Sequence, residues 1–245
     1  MSELAPTGTI RFGVAFAPEK STFFIEKTAS GELRGVTVDL ANELAQATGL
    51  PVEFTAAPNT GVLTDALVAG TLDAAFMPID AERRVKLGIG PVYATGLNTY
   101  LVRPGSEIQT IAEVDRPGVR VIGVANTTTI RGAAVTLKRT TIEPAVSVDA
   151  ALEMLRAGKA DAFALTHDTL RSLCPRVPGS RILEGSFREV IFAIVVPKHR
   201  PEALAFVTQW LESAKATGIV RRAFDRWGFE NADVAPPQKQ AISSE

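Results

Sequence analysis

Cysteine is almost absent from this 245-residue chain: Cys174 stands alone, so no internal disulfide can form. Histidine is nearly as scarce, and His167 with His199 cannot build a Cys/His zinc cluster. A surplus of charge is lacking too, with 26 Lys and Arg against 27 Asp and Glu, a net of −1. With no long basic run, that balance excludes a nucleic-acid scaffold and a polybasic membrane binder, so no nucleic-acid partner is expected. Nowhere do about 18 apolar residues follow one another, which excludes a bilayer-spanning helix. A Gly-x-Ser-x-Gly elbow, a phosphate-cradling glycine loop and a dinucleotide fingerprint are also missing, and no cofactor is expected. The opening Met1-Ser2-Glu3-Leu4-Ala5-Pro6 carries neither the basic nor the apolar region of a secretory signal. A cytosolic protein and a mature form with an added methionine both fit that start.

What is present is an ordinary globular composition, 46% hydrophobic and 22% charged, at a length that suits one large domain or two of usual size. Ile10 to Phe16 alternates and is rich in β-formers, predicting a strand. Leu40 and Leu44, like Ala41 and Ala45, sit four apart on one helical face, and Gly49 then Pro51 stop that helix. Val52 to Phe54 predicts a second strand, Leu63 to Ala69 a short helix, and Asp73 to Met77 a third strand. The order then recurs, with a strand at Val119 to Val124, helices at Thr129 to Lys138 and Val148 to Ala157, and a strand to Ala164. Leu67-x-x-Gly70-x-x-Asp73 and Leu155-x-x-Gly158-x-x-Asp161 share one grammar, in which glycine ends a helix and aspartate opens a buried strand. Two such units about 88 residues apart are too few for a solenoid and predict two similar α/β lobes with mixed, mainly parallel sheets. The apolar run Val190 to Val196 predicts a fully buried strand, and Pro201 and Val220 fall in two closing helices. From Asn231 periodicity is gone, and residues 231–245 are expected to form a mobile tail.

Six segments, in order, carry a resemblance. They are Gly35-Val36-Thr37-Val38-Asp39-Leu40, Leu67-x-x-Gly70-x-x-Asp73, Ile79-Asp80-Ala81-Glu82-Arg83, Gly90-Pro91-Val92-Tyr93, Asn126-Thr127-Thr128-Thr129 and Ile194-Val195-Val196-Pro197-Lys198. Together they make the chain resemble the bacterial extracellular solute-binding proteins of family 3, the polar-amino-acid receptors of ABC transporters. The resemblance implies a type II periplasmic-binding-protein fold, two lobes joined by two hinge crossovers with the ligand trapped between. It places lobe 1 at residues 8–99 plus 194–230, lobe 2 at 100–193, and the crossovers near Thr99 to Val102 and Phe192 to Ile194. It also implies a periplasmic monomer that binds a small carboxylate-bearing solute, without catalysis, and delivers it to a membrane permease.

Within that frame Arg83 matches the arginine that holds the ligand's carboxylate, a planar fork able to donate two parallel hydrogen bonds while staying charged. Adjacent Arg84 could be the inward one instead. Asp80 departs from the usual threonine, and would either repel an anion or pair with Arg83 and orient it. Thr127 and Thr128 stand at a helix start, where backbone N–H groups and hydroxyls form an anion site, though either could simply cap the helix. Phe16, at the end of the first strand, and Phe24 are candidates to sandwich the solute's apolar part, with Met77 and Asn59 on the same edge. An acidic residue that takes the ligand ammonium is implied after the Asp161-Ala162 strand. That place holds Thr166, with His167 and Asp168 just beyond, so a ligand without an amine, or one held through hydroxyls, also fits. A dehydratase-like enzyme and a sensory effector domain on the same fold remain as alternatives.

Overall fold

Strands and helices alternate from the start of the computed structural model, which describes residues 3–17, 19 and 21–238. The first half runs β1 (Ile10–Ala15), β2 (Glu26–Lys27), β3 (Leu33–Arg34), α1 (Val36–Thr48), β4 (Val52–Ala57), α2 (Thr60–Val68), β5 (Ala74–Ile79), α3 (Ala81–Lys86) and β6 (Leu87–Val102). Then follow α4 (Ile111–Val114), β7 (Val121–Val124), α5 (Thr128–Thr136), β8 (Ile142–Ala145), α6 (Val148–Arg156) and β9 (Ala162–Thr166). The chain closes with α7 (His167–Leu173), β10 (Arg181–Ile182), β11 (Arg188–Pro197), α8 (Pro201–Ala216) and α9 (Ile219–Arg226).

The sheet shows two lobes of one design. In lobe 1, β4, β1 and β5 are parallel, β11 adds antiparallel to β5, and β6 adds to β11. In lobe 2, β8, β7 and β9 are parallel, β6 adds antiparallel to β9, and β10 adds to β6. Each lobe thus borrows a strand from a crossing segment, and the strand order is the same in both. β6 pairs with β11 from Leu87 to Asn98 and with β9 from Asn98 to Val102, so it changes lobe at Asn98. β11 crosses back with register shifts around Ala193, and α9 then packs on α1.

The repeated Gly-x-x-Asp unit acquires a physical meaning here. Gly70 and Gly158 both adopt left-handed φ, 71° and 65°, which turns the chain off its helix at little steric cost. Asp73 then accepts hydrogen bonds from the N, Nε and Nη2 of Arg11 on β1, and Asp161 accepts the same three from Arg120 beside β7. A second arginine completes each clamp, Arg200 on Asp73 at 2.5 Å and Arg103 on Asp161 at 2.8 Å.

Apolar side chains of both lobes join in one large core, and a smaller cluster including Tyr100, Val102, Ala133 and Ala164 fills the space between the lobe 2 sheet and α5. Residues 231–238 lie along β6. The Thr95 N–H donates to Asp233 O, the Ala235 N–H to Tyr93 O, and Lys215 Nζ to Pro236 O. The rest of the expected tail, 239–245, lies outside the described residues.

Candidate functional site

The C-terminal ends of the parallel strands in both lobes lead into loops that meet, which is where open α/β sheets place ligands. Asn59 follows β4, Asp80 and Arg83 follow β5, Asn126 to Thr128 follow β7, Val146 follows β8, Thr166 ends β9 and Asp168 follows it in α7. The lobes touch along this line. Asn59 Nδ2 donates to Val146 O at 3.5 Å, Arg83 Nη2 to Asn126 O at 3.4 Å, and Thr22 Oγ1 to Asp168 Oδ2 at 3.5 Å.

Arg83 is the inward one of the Arg83–Arg84 pair, only 1% exposed, while Arg84 faces solvent. Its Nε donates to Thr64 Oγ1 (3.1 Å), Nη1 to Pro78 O (2.6 Å) and Nη2 to Thr60 Oγ1 (2.6 Å). Every acceptor is neutral, and among the described residues no carboxylate forms a salt bridge with this guanidinium. Burial, reinforced by the charge of Arg131, lowers its pKa to about 9, with Asp80 and Glu82 opposing the drop. At neutral pH it is therefore a buried cation with carboxylates nearby but, among the described residues, none in direct contact, a state that an incoming anion relieves.

Asp80 makes no side-chain contact with the Arg83 guanidinium among the described residues, though its charge acts on it. Its Oδ1 caps α3 by accepting from the Arg83 backbone N–H at 3.0 Å, and its Oδ2 pairs with Arg131 of α5 at 2.6 Å. The extended backbone at Asp80 makes it the N-cap of α3, and its second oxygen reaches the other lobe through Arg131. Arg131 also reaches Glu82 at 3.0 Å, so one guanidinium ties two carboxylates across the junction.

Thr127 is the N-cap of α5. Its Oγ1 donates to Val124 O (2.7 Å) and accepts from the Ile130 N–H, so that hydroxyl is committed to the turn. Asn126 before it has φ 58°, a left-handed geometry asparagine tolerates, which brings the chain sharply from β7 into the helix. Thr128 Oγ1, by contrast, is buried with no hydrogen-bond partner among the described residues. Asn59 caps α2, accepting from the N–H groups of Gly61 and Val62. Thr166 is buried with its hydroxyl 2.7 Å from that of Thr169, and Asp168 is partly exposed beside His167. Phe16 is half-buried at the end of β1. Phe24 and Met77 are core residues, Phe24 packing on Phe23, which stacks on Phe192 of β11. Tyr93 lies beneath the junction among Phe76, Phe192 and Phe224.

Four residues at this junction were not read from the sequence: Thr60 and Thr64, which hold Arg83, Gly61 and Asn98. A Cβ on Gly61 would come within 2.3 Å of Asn126 Cβ, so the close approach of the lobes depends on glycine there. No sequence pattern marks these positions, because their importance lies in what the other lobe places against them. Two larger hollows elsewhere, about 620 Å³ beside Arg103 and about 550 Å³ beside Arg226, are open surface depressions. In each, an aspartate of the lining is already satisfied, Asp161 by Arg103 and Arg120, and Asp39 by Arg226 and Trp227.

Two lobes of equal strand order, linked by two crossing strands and meeting at a buried arginine, define the class of two-lobed solute-binding proteins with the type II periplasmic fold. Over residues 14–231 the sequence matches the profile of the bacterial extracellular solute-binding proteins, family 3. The chain belongs to that family. Among solved structures it is similar to an ancestral amino-acid-binding protein, AncCDT-1, a precursor of cyclohexadienyl dehydratase, with 25% identity, a TM-score of 0.79, and coverage of 92% of this chain and 98% of that one. An arginine-binding protein from T. maritima gives 22%, 0.80, 93% and 98%. The putative binding component of an ABC transporter from Wolinella succinogenes, complexed with lysine, gives 22%, 0.78, 90% and 96%. No curated protein matches the sequence.

Proposed function

We propose that this protein is the receptor component of an ABC importer. It captures a small carboxylate-bearing solute, an amino acid or a related acid, between its lobes and presents the closed form to a membrane permease. The observation that carries this reading is Arg83, a buried guanidinium at the lobe junction met only by neutral acceptors. The solute's carboxylate takes the place of Asn126 O, the longest of its contacts at 3.4 Å, when the lobes part. Lobe 1 comprises residues 8–99 and 194–230, lobe 2 residues 100–193, and β6 and β11 flex between them. The protein acts as a monomer in the periplasm and leaves its solute chemically unchanged, since Asp80, the carboxylate beside Arg83, is already held by Arg131 and the α3 N-terminus. A thermal-shift screen over amino acids and small carboxylates tests this. A carboxylate that raises the unfolding temperature of the wild type, and not that of Arg83→Ala, is expected. Stabilisation by uncharged polyols alone would remove the carboxylate from the account.

A further inference from the structure

β6 changes partners at Asn98, whose Cα faces Arg188 of β11 on one side and Thr166 of β9 on the other. Side chains alternate along a strand, and here Leu97 is 44% exposed while Asn98 is 1% exposed. Asn98 therefore shares the face of Tyr100 and Val102, the face that α5 covers. As packing, an amide is out of place there. Its Oδ1 is buried and accepts no hydrogen bond from the described residues, a condition that buried carbonyl oxygens rarely show.

A second orphan stands nearby. Thr128 Oγ1, at the start of α5, is also buried and, among the described residues, unbonded. β9 lies between β6 and β7, so Asn98 stands about 10 Å, two strand spacings, across the sheet from the end of β7, which leads into α5. Arg83 Nη2 reaches Asn126 O, two residues before Thr128, and Asn98 pairs with Thr166 at the end of β9, so all three stand on segments that end at the lobe junction. The carboxylates around it are committed elsewhere. Asp80 holds Arg131, Glu82 holds Lys86 and Arg131, and Asp168 sits at the exposed rim with Thr22.

Resting on the capture of a carboxylate by Arg83, we infer that Asn98 is a specificity-determining residue that accepts a hydrogen bond from a hydroxyl of the solute, so that the preferred solute is a small hydroxycarboxylic acid rather than an α-amino acid. A hydroxyl donates to Asn98 Oδ1 and carries no charge to be balanced. An ammonium in the same place would be a buried cation facing an amide, close to the cation already present on Arg83.

The test is thermal shift and calorimetry with matched pairs that differ at one group: L-lactate and L-alanine, L-malate and L-aspartate, 2-hydroxyglutarate and L-glutamate. One hydroxy acid is expected to bind while its amino counterpart binds at least tenfold more weakly. Asn98→Ala is expected to weaken the hydroxy acid about tenfold or more. Asn98→Asp is expected to shift preference toward the amino member, a reversal that lost packing alone would not produce. Asn98→Ser, which restores a small acceptor, serves if the aspartate variant does not fold, and is expected to recover part of the affinity that Asn98→Ala loses. Binding of amino acids only, or the same hydroxy-to-amino ratio in wild type and Asn98 variants, overturns this inference and leaves Arg83 in place. No binding of any carboxylate overturns both.

Discussion

Single side chains carry much of the stability and the charge logic of this protein. The Asp73 carboxylate is fully buried, and burial alone would raise its pKa, yet hydrogen bonds from Arg11 and Arg200 hold it below its usual value of 3.8. A carboxyl depressed in the folded state adds stability above its unfolded pKa and loses it as pH falls through the folded one. Asp73→Asn is therefore expected to cost about 2–4 kcal/mol at pH 7, discounted because Arg11 is a quarter exposed. The deficit should shrink below about pH 4, and urea unfolding at pH 7 and pH 3 checks both values. Asp73 and Asp161 were legible as strand openers because their segments repeat. Their clamps were not, since Arg11 and Arg200 lie 62 and 127 positions from Asp73. Arg83 shows the same limit, named by its motif while Thr60 and Thr64, which aim it, bear no mark. Its pKa of about 9 also sets a pH window. Solute affinity should hold to about pH 8 and fall as pH rises past 9, the sign expected for a cation that deprotonates, and calorimetry across that range reads it.

At the scale of elements, helices and short buried strands were read from periodicity with ends shifted by a few residues. α5 runs Thr128–Thr136 where Thr129 to Lys138 was expected, and β11 runs Arg188–Pro197 around the apolar run at Val190 to Val196. β6 escaped because Gly88, Gly90, Pro91 and Gly96 interrupt its propensity, and pairing with β11 and β9 overrides that local signal. Two contacts between elements govern how the lobes meet. In Gly61→Ala the added methyl collides with Asn126 across the junction, so the lobes should stay apart while each remains folded. Small-angle scattering should give a larger radius of gyration, and solute affinity should drop about tenfold or more. Unchanged scattering and affinity would mean that the 2.3 Å approach does not govern closure. Arg131→Ala removes the tie between α5 and α3. Because Arg131 is 30% exposed, closure should weaken by only about 1 kcal/mol. A double-mutant cycle with Asp80→Asn measures that coupling.

Across the whole molecule the two lobes repeat one strand order, and β6 serves both while β11 joins the sheet of lobe 1. Paired lobes were visible in the sequence because each unit brings its own helix–glycine–aspartate–strand segment. The crossing of the chain between them was supplied by the family resemblance, since periodicity within a strand says nothing about which distant strand lies beside it. Contacts between the lobes, including that of the Asp80 carboxylate with Arg131, belong to neither lobe's local pattern and came only from the assembled fold. The account as a whole stands on solute capture at Arg83. Isothermal titration of wild type and Arg83→Ala with the carboxylate that stabilises the wild type tests it most directly. A loss of more than about 2 kcal/mol, over thirtyfold in affinity, with both proteins folded, is the result the account expects. Equal affinity in the two would contradict it.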